Sequence, residues 1–152
     1  NEYMGTPFGH ASAARRVYEC CPVALAGIRS MCQEEYEFIS ENQIPVWYWD
    51  PNVDRSSSDS VLDSLSNNVY VSVDLDVLDP ALMPAVGTPE PGGMTWHQLV
   101  SLLGKLSESR RIVGFDVCEL APEDGPPACS YTAAKLVYKL VAYSCGNQEL
   151  VQ

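Results

Sequence analysis

The sequence predicts an α/β protein in which a parallel sheet lies between two layers of helices, a three-layer α/β/α fold. Short apolar runs typical of buried strands alternate along the chain with segments whose apolar residues recur at helical spacing. Strands separated by helices are joined by crossovers, which make the strands parallel. With 152 residues, 46% of them hydrophobic, the chain is long enough to build one domain with a sizeable core.

Each element has its own local signal. Ser30 with Gln33, and Thr95 with Gln98, have the capping-box pattern that starts a helix. Pro22 ends the first helix, and Gly146 ends the last one. In chain order the patterns predict helix 10–20, strand 23–28, helix 30–41, strand 46–49, helix 61–66, strand 69–77, a helix behind Thr95, strand 112–120 and helix 132–143.

Two segments are predicted to be loops. Residues 50–60 are loop-forming by composition. Residues 79–93 contain four prolines and three glycines and are expected to form a structured surface loop. Asp79, which precedes Pro80, is interpreted as a turn residue.

The strand 69–77 carries aspartates inside a run of valines and leucines. Such a run predicts a strand buried on both faces, where an unpaired carboxylate is costly. Because side chains alternate along a strand, Ser72, Asp74 and Asp76 are expected on one side. Two carboxylates there repel each other unless a cation lies between them, and oxygen ligands suit Mg²⁺ or Mn²⁺. The sequence therefore predicts a metal site at the carboxyl end of this strand.

Charge and composition exclude several classes of protein. The formal net charge of −11 argues against a nucleic acid or an anionic membrane as partner, and it suits a cationic ligand or metal ions. No apolar run is long enough to span a membrane, and the first residues have neither a signal nor a transit pattern, so we expect a cytoplasmic protein. Six cysteines without a C-x-x-C pair indicate free thiols.

A longer motif surrounds the aspartates. SVDLDVLDPALMPAVGTPEPGG, residues 72–93, resembles the signature S-x-D-x-D-x-x-D-P-x-x-x-P-G-x-G-T-P-x-P-G-G of the ureohydrolases, the family of arginases, agmatinases and formiminoglutamases. Ala85 stands where that signature has glycine. GFDVCELAP and GTPFGHASAARRV are similar to two other segments of the same family.

The resemblance implies an arginase-like fold and hydrolysis of a guanidinium group, with release of urea, at a pair of Mn²⁺ ions. Asp74 and Asp76 match two metal-ligating aspartates, and Glu119 matches the glutamate that holds the guanidinium group. His10 matches the histidine that shuttles protons. The E-L-A-P context and the G-x-x-x-x-H-A segment look closer to agmatinases than to arginases, so agmatine is the expected substrate, with putrescine and urea as products.

Two motifs of the family are missing. Its other metal ligands come from G-G-D-H and D-A-H-x-D segments, and this sequence has neither. Residues 1–5 resemble what directly follows the second motif, and the chain begins with Asn1 rather than Met. We therefore expect residues 1–152 to be the carboxyl-terminal portion of one ureohydrolase domain, inactive by itself. Half of a parallel sheet would expose an edge strand, which invites pairing, and we expect a homo-oligomer.

Other interpretations stay open. The chain could be a non-catalytic subunit, or its substrate could be arginine, guanidinobutyrate or formiminoglutamate. A D-x-D phosphatase is less favoured, because Leu78 stands where that motif has Thr or Val. Structural roles are expected for a further set of residues: His97, a buried and hydrogen-bonded Asp116 on the opposite side of its strand from Glu119, the ion-paired or solvated Arg15 and Arg16, and the core or subunit-contact aromatics Trp47, Tyr48 and Trp49.

Overall fold

The computed structural model describes residues 1–50 and 56–146. Over these residues helices and strands alternate, as the sequence predicts. The helices are α1 (Ala13–Tyr18), α2 (Gln33–Glu41), α3 (Ser56–Asp63), α4 (Trp96–Ser109) and α5 (Pro127–Gly146). The strands are β1 (Leu25–Ile28), β2 (Val46–Tyr48), β3 (Asn68–Asp74) and β4 (Arg111–Cys118).

The predicted parallel pairing is confirmed. β1 pairs with β2, and β3 pairs with β4, both in parallel. Among the described residues these hydrogen-bonded ladders form two separate two-stranded sheets. In the second sheet Ser72 lies opposite Asp116 and Asp74 lies opposite Cys118. Acidic residues of two strands therefore meet at the same edge.

The prediction that the strand around Asp74 is buried on both faces is wrong for this chain. Along β3, buried and exposed residues alternate strictly. Val69, Val71 and Val73 face a core that also contains Leu103 of α4 and Leu136 of α5. The opposite face, which carries the following three side chains, is exposed: Tyr70, Ser72 and Asp74.

Both long strands are shorter than predicted. β3 ends at Asp74, and Leu75–Val77 form a 3-10 turn in which the Leu75 side chain is fully buried. Asp76 therefore lies in a turn, so strand alternation does not place it beside Asp74. β4 ends at Cys118, and Glu119 follows it with a left-handed backbone, φ +69°.

The loop 79–93 is structured, as predicted, and Asp79 organises it. Its Oδ1 accepts the backbone N–H of Ala81 at 2.9 Å, and its Oδ2 accepts those of Gly92 and Gly93 at 2.9 and 3.1 Å. The carbonyl of Met94 also accepts the N–H of Asp79 at 2.9 Å. Asp79 is thus a turn residue that also closes the far end of the loop.

One predicted capping box is confirmed and the other is wrong. Thr95 caps α4: its Oγ1 accepts the N–H of Gln98 at 3.3 Å, and Gln98 Oε1 accepts the N–H of Thr95 at 2.8 Å. For α2 the N-cap is Cys32 rather than Ser30, because the Cys32 backbone is still extended and its N–H donates to Glu35 Oε2 at 2.9 Å. Glu35 therefore takes the role predicted for Gln33.

Two helices begin earlier than predicted. α3 begins at Ser56, inside the predicted loop 50–60, although residues 51–55 of that loop lie outside the described residues. α5 begins at Pro127, because proline's fixed backbone suits the first turn of a helix, and it runs to Gly146 as expected. Among the described residues, no helix has both the length and the apolarity that crossing a membrane requires.

Most of the structural roles are also found. Arg16 forms an ion pair with Glu19 at 2.7 Å, and Arg15 contacts the same carboxylate at 3.5 Å. Trp47 and Trp49 lie in the core with their rings edge to face. Tyr48 between them is exposed, and so is His97 on α4.

Asp79→Asn tests the role of this carboxylate in the loop. Hydrogen bonds from the backbone N–H of Ala81, Gly92 and Gly93, and then the nearby charge of Arg29, hold the pKa of Asp79 below its ordinary value. The amide has one acceptor oxygen, so its NH₂ group would face backbone donors. We expect the thermal unfolding midpoint of the variant to fall by about 3 °C or more at neutral pH.

The direction of the Asp79 pKa shift determines how the stabilising effect of this carboxylate changes with pH. Because the folded pKa of Asp79 is lowered, its stabilising contribution is complete above the ordinary carboxyl value and is lost as the pH falls through the folded value. The difference in midpoint between wild type and variant should therefore shrink in acid. Asp63→Asn, at the exposed end of α3, is the control and should change little. A difference that stays constant from neutral pH into acid would contradict this role of Asp79.

Candidate active site

Acidic side chains gather where the parallel strands β3 and β4 end. Asp74 is the last residue of β3, Asp76 lies in the turn behind it, and Glu119 directly follows β4. Since the strands are parallel, these three residues lie at one edge of the sheet, where α/β proteins place their ligands. The structure thus brings together the two predicted metal ligands and the predicted guanidinium-binding glutamate.

The pKa of Asp74 reflects the concentration of negative charge at this edge of the sheet. Although Asp74 lies on the exposed face of β3, neighbouring atoms partly desolvate its carboxyl group. This desolvation, and then the negative charges of Asp76, Glu119 and Asp116, raise the pKa of Asp74 above its ordinary value, because each disfavours the charged form of the carboxyl group. A cation bound at this edge would relieve the repulsion.

The donor set suits a hard divalent cation but is incomplete. Carboxylate oxygens such as those of Asp74 and Asp76 are the ligands that Mn²⁺ and Mg²⁺ prefer. Within residues 1–50 and 56–146, however, no group of three or more His, Cys, Asp or Glu side chains is arranged to hold a metal ion. Asp74 and Asp76 therefore fit as part of a metal site whose other ligands these residues do not supply.

Asp116 accepts several hydrogen bonds beside the acidic cluster of Asp74, Asp76 and Glu119. Its Oδ1 accepts the hydroxyl of Ser72 at 2.7 Å and the thiol of Cys118 at 3.2 Å. Burial pushes the pKa of Asp116 upward, but hydrogen bonds from Ser72, Cys118 and Tyr70 outweigh burial and lower that pKa. The expected hydrogen-bonded role is confirmed, although Asp116 is only partly buried.

The same network favours the protonated form of the Cys118 thiol. Its hydrogen bond to Asp116, followed by burial and by the charges of Asp116, Asp74 and Glu119, raises the pKa of the Cys118 thiol to about 11. A thiol with that pKa is almost wholly protonated at neutral pH and is a poor nucleophile. The sequence alone does not reveal this network. Its signal in the sequence is the spacing of polar residues on two strands, which can be recognised only once the register of those strands is known.

Glu119 has an unusual backbone. Its φ of +69° lies in the left-handed region, which residues other than glycine seldom adopt. Two residues later, the N–H of Ala121 donates to the carbonyl of Ala85 at 2.9 Å, which ties the segment after β4 to the loop 79–93. The left-handed turn ends the alternation of β4, so Glu119 and Asp116 both act on Asp74 although alternation had placed them on opposite sides. Strained backbone that its surroundings hold in place is typical of functional sites.

His10 belongs to the amino-terminal segment of the chain. It begins a 3-10 turn ahead of α1, it is exposed, and its ring meets the ring of Tyr3 edge to face at 5.5 Å. No hydrogen bond or ion pair joins it to Asp74, Asp76 or Glu119, although all four residues are described. Its role as a proton shuttle stays a prediction.

An open groove runs along the ends of the other strand pair. It is lined by residues that follow β1, by α2 and by β2: Ile28, Arg29, Ser30, Met31, Tyr36, Tyr48 and Trp49. Arg29 connects this groove to the acidic cluster, because its guanidinium donates to the backbone carbonyl of Asp76 at 2.7 Å. The groove and the carboxylates therefore border each other at the ends of parallel strands.

Comparison with known proteins gives a consistent result. The arginase family matches residues 1–142. The chain is 36% identical over 145 residues to an agmatinase of Pyrococcus horikoshii, covering 95% of this chain and 51% of that protein. It is 35% identical over 146 residues to an N(1)-aminopropylagmatine ureohydrolase of Synechocystis, covering 94% of this chain and 48% of that protein.

Solved structures agree with these matches. The agmatine ureohydrolase of Thermoplasma volcanium superposes with a TM-score of 0.81 at 32% identity, over 99% of this chain and 53% of that one. The arginase of Bacillus caldovelox superposes with a TM-score of 0.67 at 30% identity, over 78% of this chain and 42% of that one. The chain spans about half the length of the curated relatives it matches. By sequence and by fold, it belongs to the arginase family.

Proposed function

We propose that this chain is the carboxyl-terminal portion, residues 1–152, of a ureohydrolase domain that hydrolyses a guanidino substrate with manganese, most specifically agmatine to putrescine and urea. The observation that carries this proposal is the convergence of Asp74, Asp76 and Glu119 at one sheet edge in a member of the arginase family. In the reaction, water adds its oxygen to the guanidinium carbon, and the bond from that carbon to the alkyl nitrogen breaks.

The aspartates would hold manganese. Asp74 and Asp76 supply oxygen ligands from β3 and from the turn behind it. When bound, manganese lowers the proton affinity of water and provides a nucleophile near neutral pH. The remaining ligands of a binuclear site would come from outside the described residues, which is why we expect this chain by itself to be inactive.

Glu119 would bind the substrate. A guanidinium group offers parallel N–H donors that match the two oxygens of a carboxylate. Glu119 stands beside Asp74 with its backbone fixed in a left-handed turn, so its carboxylate can orient the guanidinium toward the aspartates. The cationic substrate also suits a chain whose formal net charge is −11.

His10 would move a proton. The alkyl nitrogen leaves as an amine and needs a proton when its bond to the guanidinium carbon breaks. Imidazole can deliver one near neutral pH, and an exposed histidine can exchange protons with solvent. The resemblance of the segment 5–17 to the family supports this role.

The distal end of the substrate has two candidate structures. Agmatine is supported by the motif context and by a relative named agmatinase. N(1)-aminopropylagmatine is supported by relatives of that name at 35% and 37% identity. The groove beside Arg29 presents the exposed side chains of Tyr36 and Tyr48, whose rings can bind an alkyl ammonium through cation–π contacts. We propose that the groove accepts this end of either substrate.

Alternative functions make different predictions. A non-catalytic subunit would bind neither manganese nor substrate, and a D-x-D phosphatase would release phosphate rather than urea. Family membership favours the ureohydrolase over the phosphatase. We further propose a cytoplasmic protein, for which the free cysteines give indirect support. We also propose a homo-oligomer, because the two-stranded sheets of the described residues leave strand edges that invite pairing.

Urea release tests the proposal directly. The 152-residue chain and the protein extended upstream to its natural start are each assayed with Mn²⁺ on agmatine, N(1)-aminopropylagmatine and arginine. We expect urea from the extended protein with agmatine preferred, and none from the chain alone, because its metal site is incomplete. The preferred substrate is the compound with the highest kcat/KM.

Either of two results would contradict the proposal. Urea release by the chain alone would mean that its residues suffice for activity. Absence of urea release by the extended protein on every guanidino substrate, with Mn²⁺ present, would favour the non-catalytic subunit or an enzyme with a formimino substrate.

Glu119→Gln tests the substrate-binding role. The amide keeps the size of the side chain but loses the charge and one of the two acceptors, so kcat/KM of the extended protein for agmatine should fall by at least about 100-fold. The amount of bound Mn²⁺ should stay unchanged. Glu123→Gln is the control, because Glu123 lies in an exposed turn a few residues further on. Equal activity of both variants would rule out a substrate contact by Glu119.

A further inference from the structure

Arg29 joins three separate segments of the chain. It directly follows β1, and among residues 1–50 and 56–146 its guanidinium donates to backbone carbonyls only. The acceptors are the carbonyl oxygens of Asp76 at 2.7 Å, Glu90 at 2.6 Å and Pro91 at 3.2 Å. A single partly buried side chain thus fastens the end of β1 to the turn behind β3 and to the loop 79–93.

The segment that Arg29 fastens carries a candidate metal ligand. Asp76 lies in a 3-10 turn, where no strand ladder holds its backbone. Besides the bond from Arg29 to its carbonyl, the hydroxyl of Thr88 contacts its Oδ2 at 3.4 Å. The direction of the Asp76 carboxylate therefore depends on how firmly the turn and the loop are held together.

It matters for the candidate metal site that Arg29 donates to the backbone carbonyl of Asp76 and not to its carboxylate. A guanidinium paired with the Asp76 carboxylate would neutralise it and occupy its oxygens. Arg29 contacts the carbonyl instead, so both carboxylate oxygens of Asp76 stay free of Arg29 and the cluster keeps its negative charge. The charge of Arg29 also stabilises the ionised form of Asp79, which binds Gly92 and Gly93 at the same loop.

We propose that Arg29 is a positioning residue: by clamping the carbonyls of Asp76, Glu90 and Pro91, it holds the Asp76 carboxylate in the direction required for metal binding. The inference rests on the proposed function, because it takes Asp76 to be a metal ligand. Arginine suits three carbonyls, since its planar guanidinium has five donors on three nitrogens and stays charged at every relevant pH. Lysine has three donors on a single nitrogen and lacks the planar fork, so it would replace the contacts only in part.

The chain contains a matched control. Arg110 also binds backbone carbonyls: those of Leu65 at 3.1 Å, Ser109 at 2.9 Å and Leu62 at 2.9 Å. It directly precedes β4, so it lies at the end of the sheet opposite to Asp74 and Glu119. Removing Arg110 should weaken the fold in the same way as removing Arg29, without touching the carboxylate cluster.

The experiment compares Arg29→Met, Arg29→Lys and Arg110→Met in the protein extended upstream to its natural start. The Mn²⁺ dissociation constant is measured by titration calorimetry, below the unfolding temperature of every variant. We expect Arg29→Met to raise it by about 10–100-fold, as removal of an outer partner of a metal ligand does. Arg29→Lys should give an intermediate rise, and Arg110→Met should leave the constant unchanged even if it lowers the unfolding temperature equally.

Amide hydrogen exchange supplies a readout that needs no metal. Arg29→Met should speed exchange at Gly92, Gly93 and Met94, whose N–H groups are bonded inside the clamped loop, while Arg110→Met should not. If Arg29→Met does not fold, Arg29→Lys carries both measurements.

The outcomes separate the two proposals. Wild-type Mn²⁺ affinity in the folded Arg29 variants, or an equal rise in Arg110→Met, would overturn the positioning role and leave the proposed function standing. A wild-type protein that binds no Mn²⁺ would overturn the proposed function, and unchanged exchange in the Arg29 variants would then overturn the clamp as well.

Discussion

The parallel pairing of β3 with β4 is the constraint on which the rest of the structure depends. Because both strands run in the same direction, their carboxyl ends lie at one edge, and Asp74 and Glu119 arrive there together. An antiparallel pair would have placed them at opposite ends of the sheet. The pairing in turn needs one well-packed face, which the valines of β3 supply against α4 and α5. The face that carries Ser72 and Asp74 is then available for chemistry.

Asp79 and Asp74 belong to the same motif, but their surroundings shift their pKa values in opposite directions. Asp79 receives three backbone N–H groups, which lower its pKa and make it a structural anchor of the loop. Asp74, five residues earlier, faces desolvation and the charges of other carboxylates, which raise its pKa. The motif therefore combines a rigid loop with an electrostatically frustrated edge. A metal ion would relieve that frustration, whereas the loop is already satisfied.

The loop 79–93 links the ends of all the strands that the structure describes. Trp49, behind β2, donates its indole N–H to the carbonyl of Gly92 at 2.7 Å, and Arg29, behind β1, binds the carbonyls of Glu90 and Pro91. The segment behind β4 is joined through Ala121 and Ala85. Gly93 permits this closeness, because a Cβ there would lie 2.5 Å from the backbone of Leu78. Such ties set the positions of side chains that no single strand could place.

Fold class and family could be predicted from the sequence, which also indicated candidate site carboxylates. Apolar runs, helical periodicity and the Thr95 capping box are local signals, and they predict the alternating helices and strands. The motif of residues 72–93 indicates the family and marks Asp74 and Asp76 as candidate metal ligands. Tertiary structure decided where the strands end, since the burial of Leu75 turns the chain before Asp76 and a left-handed residue ends β4 at Glu119. Tertiary contacts also bring Ser72 to Asp116 and Asp76 to Arg29. These residues lie more than forty positions apart, and no local pattern encodes which distant backbone or hydroxyl group will meet them.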